Sequence, residues 1–457
     1  MKRSRESRKT KYIRLSGYAL ARDAPGCGSL PDVPLRSLAV DFNSFFASCE
    51  QQENPRLRGR PIGVVPVMAE TTCIIAASYA AKAKGVKVGT GIPDARQLCP
   101  GIEFVEARPR LYIDFHHRLL EAIEACIHVS EVRSIDEVEC DLTETFAPRE
   151  KALSVARQIK ATVARRIGPF LTCSIGIAPN WMLAKMATDM QKPDGLVVLD
   201  DPDIPQRLLG LELQDFLGIG PHMDARLRAR GIDTAAKLYA ATKAELRGIW
   251  GSVEGERMYG RMRGEHIPTP VERNKTVGHS HVLPPALRSQ AKALAVLHRL
   301  LQKAAMRLRS IGHYAGGLVV FVGYRDEARW RDELRFNETQ DTLALTHALN
   351  QMWARRPRDV RHRQPIQVGI ILTRLLEMTG HTLDLFDQPS QEARERLDHA
   401  VDTLNQTFGH GSVFFGGAFG VTANAPMRIS YTCIPKPELE EIDEKRNRRL
   451  RGPQVDQ

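Results

Sequence analysis

Apolar side chains follow two different periods along the first half of the chain, and together they predict a sheet backed by helices. Between residues 128 and 142, apolar or small side chains alternate with polar ones, which is the period of a strand. Short apolar runs at 38–40 and 171–177 predict two more strands, and helical spacing is found at 111–127 and 149–167. The order strand, helix, strands, helix, strand favours an α+β fold with an antiparallel sheet.

The pattern changes twice further along the chain. Residues 211–265 are predicted to form a small helical region, and from residue 277 a strand precedes a long helix at 288–311. Further strands and one helix are predicted at 316–324, 330–337, 341–354 and 366–372. These segments predict a helical domain followed by a second domain made of a sheet and helices.

The composition narrows the class of protein. Lysine and arginine total 65 against 54 aspartates and glutamates, so the net charge of +11 favours a polyanionic partner. No apolar run approaches the roughly 20 residues that a membrane-spanning helix requires, so nucleic acid is favoured over a membrane. The eight cysteines include no Cys-x-x-Cys pair, which argues against a zinc module and favours a reducing cytoplasm. A chain of 457 residues is long enough for three or four domains.

Acidic residues stand at the ends of two predicted strands. Asp136 and Glu137 are adjacent in the alternating strand, and Asp41 follows the run at 38–40. Adjacent residues of a straight strand point to opposite faces, so Asp136 and Glu137 reach one ion only where the chain turns or bulges. Three converging carboxylates can hold the two Mg²⁺ ions of phosphoryl transfer, about 3.5–4 Å apart. The alternative is a solvated strand end, and the metal hypothesis requires that no internal lysine or arginine neutralises the acids.

An aromatic pair follows Asp41 and is a candidate for contact with a nucleotide sugar. Asn43 is predicted to cap a helix that continues through Glu50, which places Phe45 and Phe46 close to the carboxylates. A ring at this place would clash with a 2′-hydroxyl and would therefore select deoxyribose. Ordinary core packing of the two rings is the alternative.

Three polar side chains are candidates for binding a triphosphate. Tyr79 and Lys82 lie three residues apart on an alanine-rich helix that ends at Gly85, so they share a face and can reach one phosphate. Pro193 disfavours helical geometry at Lys192, which puts this ammonium at the end of a helix. The alternative for each lysine is a solvated surface position.

Two further segments indicate macromolecular partners. The turn Gly218-Ile219-Gly220 opens a helix, and its exposed N–H groups can bind a DNA phosphate without reading sequence. The peptide Thr382-Leu383-Asp384-Leu385-Phe386 has apolar side chains in a segment without an obvious core, which predicts docking into a groove of a partner.

Five motifs in order make the chain, from about residue 35 to 435, resemble the Y family of translesion DNA polymerases, and most closely its UmuC-like branch. The motifs are Asp41-Phe-Asn-Ser-Phe-Phe-Ala-Ser-Cys-Glu50, Gly85-Val-Lys-Val-Gly89, Ser134-Ile-Asp-Glu137, Gly176-Ile-Ala-x-Asn-x-x-Leu-Ala-Lys185 and Lys192-Pro-Asp-Gly195. The resemblance implies an α+β, multidomain right-hand polymerase. Its expected parts are a disordered basic arm (1–34), palm (35–44 and 107–199), small fingers (45–106), helical thumb with a helix-hairpin-helix (200–270), little finger (277–378), clamp-binding linker (379–393), UmuC-type C-terminal extension (394–435) and flexible tail (436–457).

The same resemblance implies roles for individual residues. Asp41, Asp136, Glu137 and the carbonyl of Phe42 would bind two Mg²⁺ ions, and Phe46 would be the ring that selects the sugar. Tyr79, Lys82 and Lys192 would hold the triphosphate, and Gly218, Ile219 and Gly220 would contact DNA. The peptide at 382–386 is similar to sliding-clamp-binding motifs, and the segment 394–435 resembles an extension whose partners include the processed UmuD dimer and the recombinase filament.

Several positions depart from the family pattern. Lys82 stands where many members have arginine, which keeps the charge but loses bidentate phosphate contact. Asn43 replaces an aspartate that is common elsewhere, although UmuC-like chains also carry asparagine. Arg133 and Glu139 flank the acidic pair where aromatic residues are usual, which changes the local packing.

We therefore predict an error-prone, template-directed DNA polymerase for translesion synthesis in an SOS-type damage response. It would be cytoplasmic and nucleoid-associated, with damaged primer–template DNA and dNTP as substrates and a sliding clamp as partner. One alternative is a noncatalytic DNA-binding accessory of a translesion complex. Another is a palm-type nucleotide cyclase, which shares the metal chemistry but has no use for the Gly-Ile-Gly turn or for a basic second domain.

Overall fold

The computed structural model describes residues 34–200, 203–268, 275–326, 328–380, 388–408 and 411–421. The predicted basic arm apart from Pro34, the predicted clamp-binding peptide at 382–386 and the predicted tail lie outside these ranges. None of the helices within them has the length and apolar character needed to span a bilayer.

The sheet that carries the candidate site has five strands in the order β5-β6-β1-β7-β8. Their bounds are Ser37–Phe42 (β1), Glu131–Val132 (β5), Glu137–Asp141 (β6), Cys173–Ala178 (β7) and Leu196–Val198 (β8). β1 runs antiparallel to β6 and to β7, but β7 and β8 are parallel, so the sheet is mixed and the prediction of a wholly antiparallel sheet was wrong. Helix α6 (Trp181–Met190) joins β7 to β8, and a parallel pair requires such a crossover.

The central strand β1 is buried on both faces, which decides where its last acid points. Two long helices, α4 (Pro109–Glu124) and α5 (Arg149–Arg166), form one core with Leu38, Val40 and Phe42. Ala39 belongs to the core on the other face, which is built around α6. Because alternate residues of a strand share a face, Asp41 lies on the α6 side of the sheet.

Close packing of α6 on the sheet depends on one glycine. A Cβ atom on Gly176 of β7 would collide with the carbonyl oxygen of Ala184 in α6. Any larger residue would push the helix away from the strand. The short distance between α6 and the sheet brings polar side chains of the helix within reach of β1.

Residues 62–106 form a small unit, and part of it, at 65–102, has a hydrophobic core of its own. Its three-stranded sheet has the order β3-β2-β4, with bounds Ile62–Val65 (β2), Ala76–Ala77 (β3) and Glu103–Glu106 (β4). Its helices are α2 (Tyr79–Lys82) and α3 (Ile92–Leu98), whereas α1 (Phe45–Glu53) contributes Phe45, Ala47 and Cys49 to the core of the five-stranded sheet.

Five short helices follow the five-stranded sheet and share a core with α6. They are α7 (Ile204–Leu209), α8 (Pro221–Arg228), α9 (Ala235–Ala240), α10 (Lys243–Trp250) and α11 (Glu254–Met262). The side chain of Asn180 donates hydrogen bonds to the carbonyls of Arg261 (2.9 Å) and Glu265 (3.1 Å), which joins this unit to the start of α6.

The second sheet-and-helix domain has four antiparallel strands in the order β11-β10-β12-β9. Their bounds are Val277–Val282 (β9), His313–Tyr324 (β10), Arg329–Thr339 (β11) and Pro365–Glu377 (β12), and the helices are α12 (Gln290–Ser310), α13 (Thr342–Ala354) and α14 (Gln388–Phe408). Helix α14 docks on α12 through the almost fully buried Arg309, which contacts Asp402 at 2.7 and 2.8 Å and Asp398 at 3.3 Å.

Candidate active site

The pairing of β1 with β6 brings two of the predicted acids together. Asp41 is in register with Glu137 across the antiparallel pair, so both side chains start from neighbouring positions on one face of the sheet. Asp136 precedes β6 by one residue, and its carbonyl oxygen accepts a hydrogen bond of 2.9 Å from the N–H of Phe42. The three acids therefore converge at one end of β1 and β6, although Asp136 stands where the regular strand begins.

Lysine side chains of the next element already contact these acids. Lys185 of α6 forms ion pairs with the carboxylate of Asp41 and, at 3.1 Å, with Glu137. The ammonium of Lys192 lies 2.8 Å from the same oxygen of Asp41 and 2.7 Å from Asp189. The metal hypothesis required that no internal lysine neutralises the acids, and Asp41 does not meet this condition. Asp41 is only 5% exposed, so its contacts with the two lysines are internal.

The charges around Lys185 keep it protonated. Burial by itself would lower the pKa of this amine, but the negative charges of Asp41 and Asp189 outweigh burial and raise the pKa. Burial is also the largest single influence on Lys192 and would lower its pKa, but the charges of Asp41 and Asp189 together outweigh burial and raise the pKa. Both lysines are thus ammonium groups at neutral pH.

Asp136 and Glu137 are in a less favourable electrostatic position than Asp41. Burial raises the pKa of Asp136 by more than the 2.6 Å hydrogen bond from the hydroxyl of Ser134 lowers it, and the charge of Asp41 adds to the rise. Burial also raises the pKa of Glu137, against the opposing effect of Lys185. Each of these carboxylates would therefore be stabilised by more positive charge.

The donor set fits Mg²⁺ in its chemistry, since carboxylate and main-chain carbonyl oxygens are the ligands this ion prefers. As they are arranged, the described residues include no group of three or more histidine, cysteine, aspartate or glutamate side chains that could hold a metal ion. Asp41 would have to exchange its ammonium partners for the ion. The assignment of Asp41, Phe42, Asp136 and Glu137 as metal ligands stays a prediction.

The two aromatic residues after β1 have different environments. Phe45 is 3% exposed and belongs to the core, whereas Phe46 is only partly buried. The ring of Phe46 stacks on the ring of Tyr112, with 4.2 Å between centroids and 12° between planes. Phe46 therefore keeps accessible surface at a position five residues after Asp41, as a sugar-selecting ring must.

Asn43 does not cap the following helix, so this prediction was wrong. Helix α1 begins at Phe45, and Ser44 precedes it with a left-handed backbone (φ 49°) and no capping side chain. The amide of Asn43 instead donates to the hydroxyl of Ser174 (3.0 Å), and its oxygen accepts from the N–H of Asp194 (2.8 Å). Asn43 thereby ties the end of β1 to the loop that carries Lys192.

The predicted triphosphate-binding residues meet in one region. Lys82 lies over the ring of Tyr79, with 4.6 Å from its nitrogen to the centroid. Burial and then the positive charge of Lys192 lower the pKa of Lys82, so the two ammonium groups repel each other. Burial raises the pKa of Tyr79, which keeps its hydroxyl protonated as a hydrogen-bond donor. An anion between these lysines would relieve their repulsion.

Two other predicted features are placed as follows. Gly218 and Gly220 are exposed on either side of the buried Ile219, just before α8, and Gly218 adopts a left-handed backbone (φ 93°) that only glycine takes easily. Arg133 pairs with Glu139 and lies over the ring of Trp181, 4.9 Å from the centroid. Arg133 and Glu139, two of the residues that depart from the family pattern, therefore neutralise each other's charge.

Comparisons with known proteins identify the family. Residues 40–189 match the model of the impB/mucB/samB family, and residues 274–385 match its C-terminal domain. DNA polymerase IV of Moorella thermoacetica is 35% identical over 397 residues, covering 83% of this chain and 96% of that protein. DNA polymerase IV 1 of Bacillus subtilis is 29% identical, covering 81% and 90%. The chain belongs to the Y family of DNA polymerases.

Solved structures of this Y family agree with the fold. A chimera of the Y-family DNA polymerases Dbh and Dpo4 has a TM-score of 0.62 and 25% identity, covering 75% of this chain and 99% of the chimera. An insertion ternary complex of Dbh DNA polymerase has a TM-score of 0.50 with the same identity and coverage. The α+β, multidomain right-hand fold is thus confirmed. The relatives above are DNA polymerase IV proteins, and the UmuC-like branch stays a prediction.

Two residues of this Y-family site escaped the sequence analysis. Lys185 is only the last residue of a family motif in the sequence, with no role predicted for it, yet it contacts two of the acids. A signal was present, because Lys185 lies between the buried Leu183 and Met186 on a helix, where a solvated lysine is out of place. Tyr112 gave no signal beyond helical spacing, since its partner Phe46 is far away in the sequence.

Proposed function

We propose that the protein is a template-directed DNA polymerase that carries out translesion synthesis with dNTP substrates. The observation that supports this most is the meeting of Asp41 and Glu137 across paired strands, with Lys192 in contact with Asp41. A noncatalytic accessory protein would have no need to keep acids at this place. The Y-family fold also supports DNA polymerisation, by analogy with its relatives.

The chain's own residues suit the steps of nucleotidyl transfer. Lys82 and Lys192 would bind the triphosphate, and Tyr79 would donate a hydrogen bond to it. Asp41, Asp136, Glu137 and the Phe42 carbonyl would hold two Mg²⁺ ions. When bound, the ions supply positive charge at the attacking and leaving oxygens. The primer 3′-hydroxyl would give up its proton to water and attack the α-phosphorus, the bond from the α-phosphorus to the bridging oxygen would break, and pyrophosphate would leave.

Primer extension by the purified protein with dNTPs and Mg²⁺ is the direct test. We expect Asp136→Ala to lower the rate by roughly 10²- to 10³-fold, the usual cost of losing electrostatic stabilisation of a transition state. Asp141→Ala is a matched control, because Asp141 is an exposed carboxylate at the far end of β6, the strand that Asp136 precedes. Undiminished activity in Asp136→Ala would overturn the metal assignment.

A protein that binds DNA but extends no primer would instead support the accessory role. Binding of primer–template should weaken steeply with salt, as it does when cationic groups contact phosphates. Extension across a panel of damaged templates tests the translesion activity. The same proposal includes a role in an SOS-type response and docking of the peptide 382–386 on a sliding clamp. It also includes contacts of 394–435 with a UmuD-like dimer or a recombinase filament.

A further inference from the structure

The ring of Phe46 packs against Tyr112, a residue outside the five family motifs. The stacked ring of Tyr112 belongs to α4 and is completely buried. Phe45 contacts Phe46 from another side at 5.8 Å and 50°. Phe46 therefore has one face covered by a ring that cannot move without disturbing the core.

Tyr112 is itself fixed by a buried acid. Its hydroxyl donates a 2.8 Å hydrogen bond to Glu50, whose side chain is 1% exposed. Arg108 donates to both oxygens of the same carboxylate, through Nε at 3.1 Å and through a second nitrogen. Burial raises the pKa of Tyr112, so the hydroxyl keeps its proton.

Side chains of α1 and of the start of α4 contact each other at two levels. Phe46 and Glu50 are one turn apart on α1, and Arg108 and Tyr112 are one turn apart at the start of α4. One contact between the helices is the stack of Phe46 on Tyr112, and the other is the set of hydrogen bonds that Arg108 and Tyr112 donate to Glu50. Packing alone would be achieved by a phenylalanine at position 112, without the cost of burying a carboxylate. The hydrogen bonds to Glu50 therefore have a role beyond packing.

We propose that Tyr112 is a positioning residue for sugar selection, because it fixes the ring of Phe46 against which the sugar of the incoming nucleotide packs. The inference rests on the proposed function. The discrimination depends on the room for a single oxygen atom, so the ring has to be held within about 0.5 Å. Glu50 and Arg108 act through Tyr112, and Tyr112 acts through Phe46.

The test measures kcat/KM for a dNTP and for the matching ribonucleotide in single-nucleotide primer extension. Phe46→Ala should lower the ratio of the two values and sets the reference. Tyr112→Leu removes the stacked ring and should lower the ratio by about 2- to 10-fold, the range expected for one aromatic pair. Tyr112→Phe keeps the ring and loses only the hydroxyl, so it should fold and lower the ratio by about 2-fold.

Two further variants separate positioning from general damage to the fold. Phe115→Leu removes another buried ring from α4 and should leave the ratio unchanged. In the Phe46→Ala background, Tyr112→Leu should have no additional effect on the ratio, because its target is gone. A residue that only stabilises the palm would lower both kcat/KM values equally.

The outcomes are distinct. An unchanged ratio in both Tyr112 variants, with a changed ratio in Phe46→Ala, overturns the role of Tyr112 and leaves the proposed function intact. An unchanged ratio in Phe46→Ala removes the sugar-selecting ring and the inference with it. Failure of the unaltered protein to incorporate any nucleotide refutes the proposed function itself.

Discussion

Two acids of the site should respond in opposite ways to loss of their charge. Asp41 accepts from both Lys185 and Lys192, whereas Asp136 accepts from the hydroxyl of Ser134 and has a pKa raised by burial. In the presence of a chelator, Asp41→Asn should therefore destabilise the palm. Asp136→Asn should stabilise it, because an amide carries no charge to bury.

The magnitudes follow from the partners that remain. Removing one partner of a buried ion pair costs about 3–5 kcal/mol when the other charge is left alone. In Asp41→Asn, Lys185 keeps Glu137 at 3.1 Å and Lys192 keeps Asp189 at 2.7 Å. We therefore expect a smaller cost of about 2 kcal/mol, which corresponds to roughly 30-fold in an equilibrium constant.

The effect of Asp136→Asn should depend on pH with a definite sign. A carboxyl group with a raised pKa in the folded state binds its proton more tightly there than in the unfolded state. Stability is therefore lost as pH rises from the ordinary value of 3.8 towards the raised value. The gain from Asp136→Asn should be complete above the raised pKa and absent below pH 3.8.

Hydrogen exchange of the β1 and β6 peptides is the appropriate assay, because a multidomain chain does not unfold in one step. We expect exchange roughly 30-fold faster in Asp41→Asn, slower in Asp136→Asn, and unchanged in the exposed control Asp141→Asn. Two changes in the same direction would refute the different electrostatic positions assigned to Asp41 and Asp136.

Two more outcomes are expected elsewhere in the molecule. Burial lowers the pKa of His116 to about 4 while its ring contacts the carbonyl of Ile135 at 2.8 Å, so unfolding takes up a proton and stability falls as pH drops from 6.5 to about 4. By hydrogen exchange of the α4 peptides, His116→Asn should lose less stability than the unaltered protein over that interval, and an equal loss would contradict this. Arg309→Met leaves Asp398 and Asp402 buried without their guanidinium, so limited proteolysis within α14 should accelerate by about 100-fold, and an unchanged rate would contradict the docking.

Long, regular elements of the fold were predictable because their signals are local. Helix α5 was expected at 149–167 and spans Arg149–Arg166, and α13 was expected at 341–354 and spans Thr342–Ala354. The parallel strand β8 was missed because three residues, Leu196–Val198, are too few to show a period. Its pairing is fixed by the crossover helix, which is a property of the tertiary structure.

The site was predictable only in part. The convergence of Asp41 with Glu137 follows from strand ends that the sequence marks with acids. The ion pairs of Lys185 and the stack of Phe46 on Tyr112 join residues that are distant in the sequence. Asn43 shows the same difficulty, because a good capping residue took tertiary partners instead of the helix N-terminus.

The lysine pairs on Asp41 bear on how substrate and metal would enter the site. Lys185 and Lys192 balance two of the negative charges there, so divalent ions alone would add repulsion to these ammonium groups. A triphosphate brings negative charge with the ions, and it offers the lysines phosphate oxygens in place of carboxylate oxygens. Exchange of partners then leaves the net charge nearly unchanged. We therefore expect Asp41 to bind a metal ion only together with the nucleotide, and we expect the ammonium groups that now neutralise Asp41 to receive the phosphates.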